Sequence, residues 1–244
     1  MKEIVIIKTG DSIPSLVAGR GDFEDWIIAG IGNSHPFPTP VVAVHRGEQP
    51  PDFARIGGIV ITGSHAMVTD KAEWSEKTAA WLVSAIEHEI PILGICFGHQ
   101  LLAHALGGKV GPTPGGPEFG TVPVTLTPNA QMDPLFRDLP QPVEVQTSHY
   151  QAVTELPPKS TLLAFSEKDS HSAFRYGQRA WGVQFHPEYD AEIANAYIRE
   201  FNKDIEQSPK DAELMPYNSQ NTLTGKQLFS RFVAFVTEAA KQAF

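Results

Sequence analysis

The stretch IPILGICFGHQLLAHALGG, residues 90–108, changes its hydrophobic period at Cys96. Before the cysteine, 91–95 is a short apolar run of strand type. After it, Leu101, Leu102, Ala105 and Leu106 recur at helical spacing until Gly107-Gly108 ends the pattern. A strand that runs directly into a helix is the unit of a parallel sheet with helices on its faces. Cys96 falls in the turn between the two, with Gly94 and Gly98 two positions away on either side. A side chain in that turn projects from the carboxyl end of the sheet, where open α/β folds bind ligands. The pattern G-x-C-x-G suits a tight, strained strand-to-helix turn, because such a turn needs residues without Cβ close by.

Outward from this point, the run 57–61 precedes a helix pattern in which Trp74, Thr78, Trp81, Leu82, Ala85 and Ile86 trace one face. Asp70 and Glu73 stand in position to cap it. Further β-rich runs lie at Glu3–Lys8, 40–45, 122–126, 161–165, 172–176 and 180–185. Strand, helix, strand, helix in this order predicts an α/β fold: an open, mostly parallel sheet flanked by helices. Beyond the Gly- and Pro-rich stretch 111–120, strands succeed one another with few helical intervals, which predicts additional antiparallel strands. A helix is expected near 191–201. A last one, about 224–241, is signalled by Thr224 and Gln227 as a capping-box pair and by the recurrence of Leu228, Phe232, Val236 and Ala239. No break in composition divides the chain. The expectation is a single domain over 1–244, with its core at about 1–202 and a polar insert at 203–221 that reads as a solvated linker.

With 244 residues, 41% of them hydrophobic, the chain can bury a sizeable core. Nineteen Lys and Arg against 28 Asp and Glu leave a net charge of −9, and no basic patch forms, which disfavours nucleic acid as a partner. No signal-type apolar segment and no run of about 18 apolar residues occurs, so a cytoplasmic protein with no membrane partner is expected. A single cysteine makes no internal disulfide, and neither a CxxC pair nor a regular carboxylate spacing points to a metal. Cys96 is then explained by packing or by reactivity. Packing is the ordinary fate of a lone intracellular cysteine. Reactivity needs a base, and a helix N-terminus beside the sulfur, which favours thiolate over thiol.

Of the nine histidines, His186 in GVQFHPEYD is the best situated. Pro187 stops the apolar run before it, so His186 and Glu188 lie at a strand mouth, the same kind of edge that Cys96 occupies. A cysteine nucleophile needs a base within hydrogen-bond reach, and that base is best held by a third group that fixes its tautomer and supports its positive form. Glu188 can supply this from two positions on, although spacing alone does not bring residue 186 to residue 96.

Gly94-Ile95-Cys96-Phe97-Gly98-His99-Gln100, followed far downstream by Gln184-Phe185-His186-Pro187-Glu188, resembles the Cys-His-Glu triad of class I glutamine amidotransferases. The resemblance is to the glutaminase type found in GMP synthetase; it runs from residue 1 to about 190 and returns after Thr224. It implies a flavodoxin-like sheet, with Cys96, His186 and Glu188 as catalytic residues that hydrolyse the side-chain amide of glutamine through a γ-glutamyl thioester. It further implies that the amides of Gly63 and Phe97 hold the oxyanion, in a loop Thr62-Gly63-Ser64 where His65 stands in place of a frequent proline. Gln100, Ser64, Ser148 and His149 are implied as substrate-binding residues, whereas the segment from Glu118 to Gly120 is expected to be structural. No cofactor and no metal is implied.

Ammonia released in this family normally passes to a synthetase. The chain carries neither a G-x-x-x-x-G-K-S/T phosphate loop nor an SGG-containing ATP-pyrophosphatase signature, so any ammonia-accepting synthetase is a separate partner. Three readings follow: a glutaminase that serves such a partner, a stand-alone hydrolase of γ-glutamyl amides or peptides, or a non-catalytic binding or scaffolding protein that keeps the fold. The small-molecule substrate is glutamine in the first and a larger γ-glutamyl compound in the second.

Overall fold

In the computed structural model, residues 2–139, 141–201 and 219–242 are described. The first strand, β1 (Glu3–Lys8), is buried along its whole length, as a strand covered on both faces must be. Its alternate side chains divide between two cores. Ile4 and Ile6 join Val60 and Leu93 on one face; Val5 and Ile7 join Ile59, Ile61 and Ile92 on the other.

Two helices follow β1, α1 (Pro14–Arg20) and α2 (Phe23–Ile31), and then β2 (Val41–Ala43), β3 (Ile56–Ile61), α3 (Glu73–Glu87), β4 (Ile92–Ile95) and α4 (Phe97–Ala105). Strands β2-β1-β3-β4 are parallel neighbours, and the late strand β11 (Ala180–Val183) adds in parallel beside β4. From β11 the sheet continues through antiparallel pairs to β10 (Ala173–Tyr176), β9 (Ser160–Phe165), β6 (Glu118–Leu126) and β7 (Val143–His149). A separate hairpin-like pair is formed by β5 (Lys109–Pro112) and β8 (Gln151–Glu155). The predicted α/β sheet with added antiparallel strands is therefore present, nine strands wide among the described residues.

Helices α3 and α4 cover one face through Leu82, Ala85, Leu101 and Leu102. The other face is covered by α2 and by α6 (Thr224–Gln242), whose Leu228, Phe229, Phe232 and Val236 are buried. α5 (Ala191–Glu200) packs its Ile193, Ala194 and Tyr197 against Trp26 and Phe23. Trp181 in β11 is fully buried, and Asp133 accepts its indole N–H at 3.2 Å while also binding Arg175 at 3.0 Å. A buried polar tip satisfied in this way fixes the strand that leads to His186.

Two predicted caps are not formed. Asp70 belongs to a 3-10 turn, Val68–Asp70, and α3 begins after Ala72 with no side-chain cap, because Lys71 in left-handed conformation closes the turn first. At α6 the amide of Gln227 bonds to the carbonyl of Leu223 and Gln227 Oε1 has no partner, so Thr224 and Gln227 make no capping box. The run at 40–45 is also shorter than expected, since Val44–Arg46 turns into a 3-10 helix. Of the polar insert, residues 203–218 lie outside the described residues. No helix among the described residues is long and apolar enough to cross a membrane.

Candidate active site

Cys96 has φ 51° and ψ −103°, a left-handed backbone that strains any residue with a Cβ. The turn is held because β4 and α4 cross at contact distance. A Cβ on Gly94 would lie 2.5 Å from the carbonyl oxygen of Gly98, and one on Gly98 would lie 2.7 Å from Ile61. Gly94 is therefore required by the crossing of β4 and α4, and Gly98 by the packing of α4 on the end of β3. The strained turn puts the Cys96 sulfur at the head of α4, 3.9 Å from the Ser148 carbonyl oxygen.

Gln184 donates from Nε2 to the Cys96 sulfur at 3.5 Å, and its Oε1 accepts from Gln100 Nε2 at 3.0 Å. Gln100 donates in turn to the Gln151 carbonyl at 2.7 Å. A chain of amides thus aims one N–H at the sulfur, and its members come from α4, β8 and the end of β11.

Ninety residues after Cys96, His186 is brought to the same edge because β11 pairs with β4 in parallel, Val183 opposite Ile95. His186 interacts with the Cys96 side chain on one side and with Glu188 on the other, where Nδ1 and Oε1 are 2.7 Å apart. Both side chains are buried, and the second carboxylate oxygen of Glu188 has no partner. Burial pulls the His186 pKa down, but the negative charges of Glu188 and Cys96 and their hydrogen bonds overcome it and push the value up to about 10. At neutral pH the His186 ring is therefore held as an imidazolium beside the Cys96 sulfur.

Two residues that sequence reasoning missed hold the imidazole. Tyr189 stacks on it with centroids 4.0 Å apart, and Phe23 stacks at 6.1 Å. Such faces favour a positive ring. Phe23 opens α2 behind Asp22, whose carboxylate accepts from the Phe23 and Ser12 amides and pairs with the buried Lys8 at 2.7 Å. The signal for α2 was legible: Asp22 as a cap, followed by Phe23, Trp26, Ile27 and Ile31 at helical spacing. At the other end of the chain, a Cβ on Gly225 would fall 2.0 Å from the Pro187 carbonyl oxygen, so α6 seats directly on the His186–Glu188 turn.

Gly63 follows β3. Its carbonyl accepts from the hydroxyls of Thr9 and Thr62, both at 2.9 Å, which fixes the peptide. A Cβ at this position would lie 2.9 Å from His186 Cε1, so the loop and the imidazole are in contact. Phe97, as the first residue of α4, has an N–H with no intrahelical acceptor. The structure therefore gathers Gly63, Phe97, Cys96, His186 and Glu188 at one place.

Ser64, Gln100, Ser148 and His149 line a cavity of about 390 Å³ that opens over Cys96. The His149 ring is not free within it. Its Nε2 meets Glu118 at 3.2 Å and its Nδ1 faces the Gln151 carbonyl at 3.0 Å, while Glu118 also accepts from Ser166 at 2.8 Å. His149 thus lines the cavity while its ring bridges Glu118 of β6 and the Gln151 carbonyl of β8. The remaining walls are His65, Ala66, Met67, Phe97, Tyr150, Gln151 and Phe201. No cluster of three or more potential metal ligands occurs among the described residues.

The chain is similar to known proteins of one family. The family model "Glutamine amidotransferase class-I" matches residues 34–204, more than half of the chain. A gamma-glutamyl peptidase 5 from Arabidopsis thaliana is 34% identical over 144 residues, which cover 58% of this chain and 57% of that protein. A glutamine-hydrolyzing GMP synthase from Porphyromonas gingivalis is also 34% identical, over 62% of this chain but only 29% of the synthase. The chain thus spans between about a quarter and three fifths of the curated relatives it matches. The crystal structure of a glutamine amido transferase from Methylobacillus flagellatus superposes with a TM-score of 0.71 over 96% of this chain and 95% of that one, at 20% identity. At that identity the likeness is one of fold.

Proposed function

The chain belongs to the class I glutamine amidotransferase family, and from that premise we propose that it hydrolyses a γ-glutamyl amide, glutamine being the simplest, through a thioester on Cys96. The observation that carries this reading is the buried line Glu188–His186–Cys96 beneath an open cavity.

His186, oriented by Glu188, takes the proton of Cys96. The thiolate attacks the γ-carbonyl carbon, and the oxygen that becomes negative rests on the amides of Gly63 and Phe97, two rigid donors aimed in advance. As the carbonyl re-forms, the C–N bond breaks and imidazolium Nε2–H gives its proton to the departing nitrogen, releasing ammonia or an amine. Water then attacks the thioester, neutral His186 takes its proton, and glutamate leaves with the thiolate restored. Glu188 keeps Nδ1 protonated and supports the positive ring throughout. Ser64, Gln100 and Ser148 bind the amino-acid end of the glutamyl group.

Two fates of the amine remain within this chemistry. In one, glutamine is the substrate and ammonia passes to a separate synthetase, a reading supported by the similarity to GMP synthases. In the other, the protein works alone on larger γ-glutamyl amides or peptides, which is supported by a cavity of about 390 Å³ that Met67 and Phe201 line together with Cys96, and by the similarity to a gamma-glutamyl peptidase. Glutamate release from glutamine and from a panel of γ-glutamyl amides, with Cys96→Ala as blank, tests the proposal. Turnover by wild type alone is expected. Undiminished turnover by Cys96→Ala excludes the mechanism, and silence of the wild type on every substrate favours the non-catalytic reading.

A further inference from the structure

We propose that the aromatic wall of the cavity over Cys96, formed by His65, Tyr150 and Phe201 with Met67, is a subsite for a hydrophobic, aryl-bearing amine, so that the preferred substrate is a γ-glutamyl arylalkyl amide. The inference rests on γ-glutamyl chemistry at Cys96 and adds the identity of the group that leaves.

The cavity divides by chemistry. A glutamyl group brings an α-ammonium and an α-carboxylate, which require polar partners on leaving water. Such partners are present in the lining as Ser64, Gln100, Ser148, His149 and Gln151. The other walls, His65, Met67, Tyr150 and Phe201, present rings and a thioether and offer little to a charged group. Among the described residues that line the cavity, none is Lys, Arg, Asp or Glu. A peptide carboxylate or a diamine ammonium would meet no counter-ion among the described lining residues.

The aromatic wall is built before any ligand arrives. Phe201, at the end of α5, has its ring centroid 5.8 Å from His65, 6.0 Å from both Phe119 and Tyr197, and 6.1 Å from Tyr150. These contacts tie the loop after β3 to the turn between β7 and β8 across the cavity. A ligand ring therefore meets rings whose rotamers are already fixed, which lowers the entropy lost on binding. Met67 on the facing loop supplies an adaptable thioether. Loss of hydration, and then the positive charge of His186, hold the His65 pKa below the ordinary histidine value, so its ring enters the wall uncharged. At about 390 Å³ the space lies in the range of ligand-binding sites, about 300–1,000 Å³. Ammonia as leaving group would leave this wall uncovered.

The test compares γ-glutamyl-ethylamide with γ-glutamyl-phenethylamide, whose amines have similar basicity, so that their ratio of kcat/KM reports the subsite and not leaving ability. γ-Glutamyl-β-alanine and γ-glutamyl-putrescine serve as charged controls. The phenethylamide is expected to exceed the ethylamide by about tenfold or more, the discrimination a hydrophobic pocket gives for added apolar groups, with both charged compounds below the ethylamide. Phe201→Ala is expected to narrow that ratio, and Met67→Ala, which lies outside the aromatic cluster, to narrow it independently should Phe201→Ala fold poorly. Calorimetric binding of the two amides to Cys96→Ala separates the subsite from the chemistry. Tighter binding of the phenethylamide with no turnover by the wild type keeps the subsite and removes the hydrolase reading. Equal kcat/KM for the two amides, or equal or absent binding in Cys96→Ala, overturns the proposal.

Discussion

Replacing Glu188 by Gln keeps the shape and a hydrogen-bond acceptor for His186 Nδ1 but removes the charge. The two side chains are buried, 2.7 Å apart at their nearest atoms, and the carboxylate has no second partner. For charge centres about 4 Å apart in an effective dielectric near 20, the attraction is about 4 kcal/mol. With one pKa unit equal to about 1.4 kcal/mol, that corresponds to roughly 3 units. His186 stands at about 10 because Glu188 and Cys96 together outweigh burial. Glu188→Gln is therefore expected to lower the His186 pKa well below its wild-type value, with Cys96 supplying what support remains. Titration of the histidine Cε1 resonances by NMR, with His186→Ala identifying the signal, measures this directly. At pH 8 the wild-type ring is then protonated and the variant ring is protonated to a smaller extent, so less of the variant holds the proton it gives to the departing amine. Activity should fall, though by less than in Cys96→Ala or His186→Ala. A shift smaller than about one unit would show that Glu188 does not sustain the imidazolium, and the reasoning from the buried pair would fail.

Other consequences follow from the same contacts. Gly63→Ala puts a Cβ 2.9 Å from His186 Cε1, and since that ring is held by Glu188 and Tyr189 it must shift; kcat is expected to drop by about 100-fold, the cost of a misplacement near 1 Å, while circular dichroism shows the fold retained. A His186 pKa raised from 6.5 to about 10 contributes stability that is fully present below pH 6.5 and is lost as pH rises through about 10. Thermal melting should therefore weaken over that window in wild type and less so in Glu188→Gln, and activity should decline on the alkaline side near 10. Gln184→Leu removes the amide that donates to the sulfur at 3.5 Å, so the rate of Cys96 alkylation by iodoacetamide, the only cysteine to react, should fall several-fold, by about one hydrogen bond to a charged group. An unchanged alkylation rate would mean that this amide does not stabilise the thiolate.

Much of the architecture was legible because its signals are local. The glycines around Cys96 mark the crossing of β4 and α4, and Glu3–Lys8 reads as a buried strand without any partner being known. The segments β5, β7 and β8 were missed, since Lys109–Pro112 and Gln151–Glu155 are short and mixed in polarity and are stabilised by pairing with residues far along the chain. The expected cap at Asp70 failed for a local reason, the competing 3-10 turn that ends at Lys71. At the site, Cys96, His186 and Glu188 were singled out by residue type, by their turn and strand-end positions and by resemblance, and the pairing of β4 with β11 brings them to one edge. The residues that hold them were not singled out, because Phe23, Tyr189 and Gln184 act through contacts that arise only when α2, β4 and β11 come together. The ring of His149 likewise meets Glu118, a pairing between β6 and β7 that spacing in the sequence does not show.

Acid quenching during turnover of a γ-glutamyl substrate, followed by intact-protein and peptide mass spectrometry, tests the central claim most directly. A thioester mechanism predicts a transient gain of one γ-glutamyl group, on the peptide that carries Cys96, absent from Cys96→Ala and removed by hydroxylamine. Sustained glutamate release with no such adduct, or an adduct on any other residue, would contradict it.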